Sequence, residues 1–224
     1  MGGLRVALAL LVGLFADVAW AATLDEVVAR LEATYRETRD LKAEFRQVAV
    51  NKAMNRTTQG EGTVWLKRPG KMRWEFRTPT PQTIVSDGKS FWVYTPELNQ
   101  VTISEAPATL GAGPAGSFLM GMGRLREEFT IRFLNPANPT DASGHAVLDL
   151  RPKKPEPTMA RLVVTVDPAR SLIRSAVIYD VLENTVTLRF TAIELNSGLP
   201  EGRFAFTPPP GVAVVPLGPG LFRQ

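Results

Sequence analysis

The 224-residue sequence contains no cysteine and a single histidine, His145. The absence of cysteine excludes disulfides, thiolate metal sites, thiol nucleophiles and an acylated N-terminal cysteine. With one histidine, a Ser-His-Asp triad could form only around His145, and no clusters of histidine and carboxylate occur at metal-ligand spacing. We therefore predict that the protein is not an enzyme and that it holds neither a metal ion nor a cofactor.

Long apolar runs are also missing, except at the N-terminus. Arg5 precedes an apolar run that ends at Phe15, and small residues lead up to Ala21. This order is typical of a secretory signal peptide that is cleaved after Ala21. An uncleaved anchor is disfavoured because the run is too short to span a bilayer comfortably. We expect residues 1–21 to be removed on export and residues 22–224 to form one soluble domain.

The sequence has only a small excess of positive charge. Its 26 Lys and Arg residues against 22 Asp and Glu give a net charge of +4. Basic residues between positions 67 and 73 lie among Trp65 and Trp74, a combination that also occurs in nucleic-acid-binding proteins. An exported protein rarely meets nucleic acid, so we predict no such partner. Basic groups at the rim of an apolar face fit lipid head groups or hydrogen bonds to a lid better.

Helical periodicity marks the first segment after the signal peptide. Thr23 and Glu26 form a capping box at its start. Apolar residues then recur at helical spacing: Leu24, Val27, Val28, Leu31 and Tyr35. This pattern predicts an amphipathic helix over residues 24–39 that covers a sheet.

From Asp40 onward the apolar period changes to two, which is typical of strands. In residues 60–94 four strand-like runs are separated by the short turns RPGK, TPTP and SDGK, and Met72, Trp74 and Phe76 share one face. Further alternating runs follow Phe129. Short turns require antiparallel neighbours. The sequence therefore predicts a mainly β fold: a strongly curved antiparallel sheet, or incomplete β-barrel, of about eleven strands with a helical lid over its concave apolar face.

Residues 106–128 interrupt the strand pattern with a glycine-rich opening and a short helical period. Apolar residues at helical spacing are Phe118, Leu119, Met122 and Leu125. Glycines at positions 121 and 123 weaken a helix here. Two interpretations stay open, a mobile apolar lid and an ordinary connecting helix packed on the sheet. The run GAGPAGS lacks the lysine of a phosphate-binding loop.

Three runs carry a family resemblance: GEGTVWLKRPGKMRWEF from residue 60, QTIVSDGKSFWVYTPELNQVT from residue 82, and FAFTPPPGV at residues 204–212. In this order, with the glycine-rich insert at 106–128 between them, they resemble the periplasmic outer-membrane lipoprotein carrier (LolA-type) family over nearly the whole mature chain.

The resemblance implies a monomeric half-open barrel in the periplasm, lidded by helices. Such a carrier takes acylated lipoproteins from an inner-membrane ABC-type lipoprotein-releasing complex and hands them to an outer-membrane lipoprotein acceptor. Arg68 matches the family arginine thought to hydrogen-bond the lid backbone and hold the empty cavity closed, and we expect its partner in residues 106–128. Met72 and Trp74 match positions at the cavity mouth and wall.

Strand and helix parity extends the expected acyl-chain cavity to Phe45, Leu66, Phe76, Ile84, Trp92, Leu119, Met122 and Leu125. An alternative function stays open, a carrier or sensor of another lipid on the same fold. A regulator that senses misdelivered lipoproteins would be expected to have a second, signalling domain.

Overall fold

The computed structural model describes residues 22–105, 124–156 and 158–216, which form two α-helices and twelve β-strands. The helices are α1 (Leu24–Glu37) and α2 (Leu125–Glu128). The strands are β1 (Asp40–Asn51), β2 (Arg56–Lys67), β3 (Lys71–Thr78), β4 (Gln82–Asp87), β5 (Ser90–Thr95), β6 (Gln100–Glu105), β7 (Phe129–Phe133), β8 (Ala146–Pro152), β9 (Arg161–Asp167), β10 (Leu172–Tyr179), β11 (Thr185–Leu195) and β12 (Ala213–Pro216). The predicted mainly β fold is confirmed.

All twelve strands belong to one sheet, in the order β12-β6-β5-β4-β3-β2-β1-β11-β10-β9-β8-β7. Every pair is antiparallel except β12, which pairs parallel with β6 at one edge. The sequence predicted about eleven antiparallel strands and did not indicate this additional, parallel edge strand. Its four residues are all exposed and end at Pro216, so they lack the alternation that marks a half-buried strand.

One face of the sheet is apolar from β3 across to β7, as the alternation predicts. In the register, Leu66 lies opposite Met72 and Val64 lies opposite Trp74. In the other half, Leu148 lies opposite Val164. Because side chains on paired residues point to the same side, these residues form one surface. This concave face contains the main core, and the opposite, convex face carries the alternating residues.

Helix α1 covers the concave face and begins as the sequence predicts. The Thr23 backbone N–H donates to Glu26 Oε2 at 2.8 Å, and the Glu26 N–H donates back to Thr23 Oγ1 at 3.3 Å. The apolar side of the helix is buried: Val27, Val28, Leu31 and Tyr35. We call the sheet end at which α1 ends and β1 begins the proximal end, and the opposite end the distal end.

Residues 196–216 cross the convex face as an irregular segment, which we call the strap. Asp40, at the start of β1, holds the beginning of the strap. Its carboxylate accepts hydrogen bonds from Ser197 Oγ at 3.2 Å and from the Gly198 N–H at 3.1 Å. Phe204 is 1% exposed, so its ring anchors the middle of the strap. The strap ends as β12, which makes it part of the sheet edge.

The predicted lid lies largely outside the described residues, since only its last part, from residue 124, belongs to them. There α2 leads directly into β7, and Leu125 is fully buried in the main core. No helix within the described ranges is long and apolar enough to cross a membrane.

Candidate functional site

Three aromatic rings form a cluster on the concave face, on strands β1 and β3. Phe45 lies 4.7 Å from Trp74 and 4.9 Å from Phe76 between ring centroids, in edge-on contact with both. Trp74 and Phe76 are stacked 6.5 Å apart. Such pairs stabilise each other beyond their buried area. This aromatic wall is a firm apolar surface in the centre of the sheet.

The wall depends on glycine at the neighbouring positions of β2. A Cβ atom at Gly62 would lie 1.9 Å from the Glu75 carbonyl oxygen and 3.0 Å from the Phe45 ring, so no side chain fits there. A Cβ atom at Gly60 would lie 3.2 Å from the Phe76 ring. The sequence signal was the GEG run at 60–62, in which two glycines interrupt the apolar face of a strand.

One polar atom lies within this apolar wall. Trp74 is 2% exposed, and its indole Nε1–H has no hydrogen-bond acceptor among the described residues. An unpaired buried donor costs about 1–3 kcal/mol. The wall is therefore not purely hydrocarbon, because it contains one N–H group that an oxygen atom could satisfy.

Toward the distal end of the wall, the described residues line a hollow of about 200 Å³ beside Phe76. Its lining is mostly polar: Gln47, Thr58, Gln59, Gly60, Thr80 and Gln82, with Pro79 and Phe76. The apolar surface thus reaches water through a rim of amide and hydroxyl groups.

At the proximal end, α1 is held to the sheet through Tyr35 in its last turn. Arg68 Nη2 donates to the Tyr35 carbonyl oxygen at 3.0 Å, and the Tyr35 hydroxyl accepts from the Ile173 N–H at 3.2 Å. Burial raises the pKa of Tyr35 to about 12, so the hydroxyl stays neutral. We expected Arg68 to contact residues 106–128, of which 106–123 lie outside the described residues, so this contact stays a prediction. Among the described residues, the Arg68 side chain donates its hydrogen bond to α1.

A second arginine holds α1 nearer its N-terminus, and sequence reasoning missed it. The Arg126 backbone N–H and its Nη1 donate to the two carboxylate oxygens of Glu32, at 2.8 and 2.9 Å. Its Nη2 donates to the Asp25 carbonyl oxygen at 2.8 Å. Glu32 is 6% exposed, although it lies on a helix whose other charged residues face solvent. A glutamate on the apolar side of a predicted helix was the available signal.

The structure brings seven predicted cavity residues together on or beneath the concave face: Phe45, Leu66, Met72, Trp74, Phe76, Ile84 and Leu125. Ile84 lies directly opposite Trp74 in the register of β3 and β4. Two further predicted residues, Leu119 and Met122, lie outside the described residues.

The prediction for Trp92 was wrong. Trp92 lies opposite Val85, so it faces the convex side, away from Ile84 and Trp74. Its ring lies 6.1 Å from that of Phe206 in the strap. Because the strap covers the convex face here, both sides of β5 carry large apolar residues, and alternation alone cannot tell the two faces apart.

Among the residues that the structure describes, no group of three or more histidine and carboxylate side chains is placed to hold a metal ion. His145 stands in the turn before β8, with Nδ1 3.5 Å from Asp141 Oδ2.

Sequence comparison adds a family to this geometry. A family model described as outer membrane lipoprotein carrier protein LolA matches residues 36–207. The chain belongs to the LolA family. It is 36% identical to an outer-membrane lipoprotein carrier protein of Dechloromonas aromatica, over 80% of this chain and 83% of that protein. It is 31% identical to a protein of the same name from Alkalilimnicola ehrlichii, over 97% and 98% of the two chains.

A solved structure of an uncharacterised conserved protein from Thermus thermophilus has the same fold, with a TM-score of 0.55 at 15% identity, over 86% of this chain and 98% of that one.

The LolA match contains the aromatic wall, Arg68 and the strap as far as Thr207. The match begins in the last turn of α1, so Asp25 and Glu32 precede it.

Proposed function

We propose that the protein is a monomeric periplasmic carrier that binds the acyl chains of lipoproteins without chemical turnover. It receives them from an inner-membrane ABC-type lipoprotein-releasing complex and delivers them to an outer-membrane lipoprotein acceptor. The observation that carries this proposal is the apolar concave face, on which, within the described ranges, the amphipathic helix α1 packs and is held through a few polar contacts. Membership of the LolA family and the names of the relatives support it.

In the closed state α1 occupies the place of the cargo. The hollow of about 200 Å³ beside Phe76 is smaller than the roughly 300–1,000 Å³ of common ligand pockets. An acyl chain therefore reaches the rest of the aromatic wall only when α1 moves away. On this proposal the wall always has an apolar partner, which is α1 in the empty protein and acyl chains in the loaded one.

This exchange keeps the net affinity moderate. An acyl chain of roughly sixteen carbons gains on the order of 10 kcal/mol on burial, at about 0.8 kcal/mol per methylene. Displacing α1 exposes four apolar side chains, among them Leu31 and Tyr35, which offsets on the order of 8 kcal/mol. A carrier that bound its cargo at the full gain could not release it, so the competing helix makes delivery possible.

Arg68 adds a polar contribution to the closed state. Its hydrogen bond to the Tyr35 carbonyl has a charged donor, and such bonds contribute about 1.5–3 kcal/mol. Opening α1 breaks this bond, so the bond favours cargo release. We assign to Arg68 the role of a latch on α1.

The experiment compares two arginines that each donate to a backbone carbonyl at the proximal end. Arg68→Leu removes the bond to α1, whereas Arg170→Leu removes a bond to the Ile193 carbonyl, 3.0 Å away and unconnected to α1. Each variant is incubated with inner-membrane vesicles that carry labelled lipoprotein, the releasing complex and ATP, and then with membranes bearing the acceptor. We expect Arg68→Leu to form a soluble lipoprotein complex but to transfer it at least tenfold more slowly, and Arg170→Leu to behave as wild type.

Normal transfer by Arg68→Leu would contradict the latch. If the wild-type protein took up fatty acid or phospholipid but no lipoprotein, the alternative of a carrier for another lipid would replace the proposal.

A further inference from the structure

Two neighbouring turns at the distal end of the sheet expose large apolar side chains to water. Met54 lies in the turn between β1 and β2 and is 68% exposed. Val181 and Leu182 lie in the turn between β10 and β11 and are 63% and 71% exposed. The turns are adjacent because β1 pairs with β11, with Val50 opposite Thr185. We call these three side chains the apolar tip.

Polar contacts fix the two turns to each other. The Lys52 backbone N–H donates to Asn184 Oδ1 at 2.9 Å, and its Nζ pairs with Glu183 at 2.6 Å. Within the second turn, Asp180 accepts from the backbone N–H groups of Leu182 and Asn184, both at 2.8 Å. The turns thus hold one another in place, and the apolar side chains project from a braced base.

The residue types are unusual for this location. The exposed centre of a tight turn ordinarily holds Gly, Asn, Asp or Ser, whereas here Val181 and Leu182 occupy it. Among the residues that the structure describes, seven large apolar side chains are exposed, and three of them lie together on the two adjacent turns of the tip. Exposed apolar residues that are grouped, rather than scattered, mark an interaction surface.

We propose that the apolar tip inserts into the interface of a lipid bilayer and brings the distal end of the protein against the membrane. The tip consists of three side chains on two turns, far fewer than the roughly 20–30 residues that each partner contributes to a stable protein interface. A protruding group of this size finds no matching pocket on a flat protein surface, whereas the head-group region of a bilayer deforms around it. The charges at its base are paired, so the contact is apolar and brief rather than an anchor.

This inference goes beyond the proposed carrier function. It rests on that function only in that a carrier exchanges its cargo at membranes and must therefore contact them. The tip and the Arg68 latch lie at opposite ends of the sheet. The distal end also holds the open, polar-rimmed hollow beside Phe76. Insertion of the tip therefore sets the protein on the membrane with this hollow close to the lipid.

The test uses the fact that the chain contains no cysteine. Leu182→Cys and Leu134→Cys each provide one thiol for an environment-sensitive dye, and Leu134, 45% exposed, lies at the proximal end. Vesicles of phosphatidylethanolamine and phosphatidylglycerol are added in the absence of lipoprotein. We expect the dye at position 182 to shift to shorter wavelength and to be quenched by spin-labelled lipid at both low and high salt, and the dye at position 134 to do neither.

An unlabelled variant checks the result without the dye. Met54→Ser/Val181→Ser/Leu182→Ser should reduce flotation with the vesicles at least fivefold, while Leu134→Ser leaves it unchanged. Equal responses of the two dyes, or equal flotation of the triple variant and wild type, would overturn the proposal. Because no cargo is present, such a failure says nothing against lipoprotein carriage, and a failure of carriage leaves the tip unaffected.

Discussion

The concave and convex faces of the sheet are closed by two covers of different construction. On the concave face, α1 buries four apolar residues, yet its described polar ties reach only Arg68, Ile173 and Arg126. Its backbone takes no part in the strand pairing. The helix is therefore a separate unit, which could lift from the sheet without breaking any strand.

The strap on the convex face is tied along its length. Glu201 pairs with both Lys67 and Lys71, and Arg203 lies over the Trp65 ring at 4.9 Å from its centroid. Farther on, Asn99 Nδ2 donates to the Gly211 carbonyl at 3.0 Å, and β12 then joins β6. Removing this cover would disrupt the sheet edge as well.

The difference between α1 and the strap corresponds to the difference between a cover that moves and one that stays fixed. A cover that must leave contributes apolar area and few directional bonds, because area can be exchanged for the area of a ligand. A cover that stays can add ion pairs and backbone hydrogen bonds, which no acyl chain replaces. We therefore expect variants of the two covers to differ in their effect on ligand binding more than in their effect on stability.

The largest effect is predicted for truncation of the deepest residue of each cover. Leu31→Ala and Phe204→Ala remove side chains that are 0% and 1% exposed. Each should lower the free energy of unfolding, by about 2–4 kcal/mol for Leu31 and about 3–5 kcal/mol for Phe204, measured by urea denaturation. Because Leu31 stabilises only the closed state, its variant should also bind a fluorescent fatty acid at least fivefold more tightly. The Phe204 variant should bind it as wild type does.

The comparison between the covers would fail if both variants gained affinity or neither did. In either case α1 and the strap would act on the ligand site in the same way.

The residues that alternation placed correctly are those with one covered face. Met72, Trp74 and Phe76 alternate with charged residues, so the sequence alone indicates their common side. Trp92 follows Phe91 and precedes Val93, and every position of this run is apolar. The strap arrives from more than a hundred residues later in the chain. No local pattern could indicate that a second cover exists, and the face of Trp92 therefore could not be predicted.

Long-range polar pairs were hidden for a related reason. The partner of Glu32 is Arg126, which is 94 residues away, and one charged residue does not specify another at that distance. The capping box of α1 joins residues three positions apart and could be predicted because its geometry is local. Arg68 was found through family resemblance, but its partner Tyr35 was not.

A smaller effect is predicted for the tie between Arg126 and α1. Arg126→Ala removes the guanidinium that donates to the buried Glu32 carboxylate but keeps the backbone N–H donor, and the loss should destabilise the protein by about 1–2 kcal/mol. Since Arg126 is 43% exposed at its side chain, solvent reduces the effect. Because this contact holds α1 on the sheet, losing it should also speed fatty-acid uptake, measured by stopped-flow fluorescence.

The double variant Arg126→Ala/Glu32→Gln is the control for this tie. Removing the buried charge should recover part of the lost stability, which gives a coupling of about 0.5–2 kcal/mol between the two residues. Additive effects of the two single variants would show that the contact does not hold α1.

The smallest effect is predicted for the ion pairs of the strap, and acid reveals it. Hydrogen bonds from Lys67 and then Lys71 lower the pKa of Glu201 from 4.5 to about 2. A pKa that is lower in the folded state gives stability that is present above the unfolded pKa and is lost as the pH falls toward the folded one. The difference in melting temperature between wild type and Glu201→Gln should therefore be constant down to about pH 4.5 and shrink between there and about pH 2. Added salt should reduce the difference, because the carboxylate is exposed. If the difference in melting temperature between wild type and Glu201→Gln changed with neither pH nor salt, the strap would be held by Phe204 and the edge strand alone. The contrast between the strap and α1 would then rest on backbone pairing and not on charge.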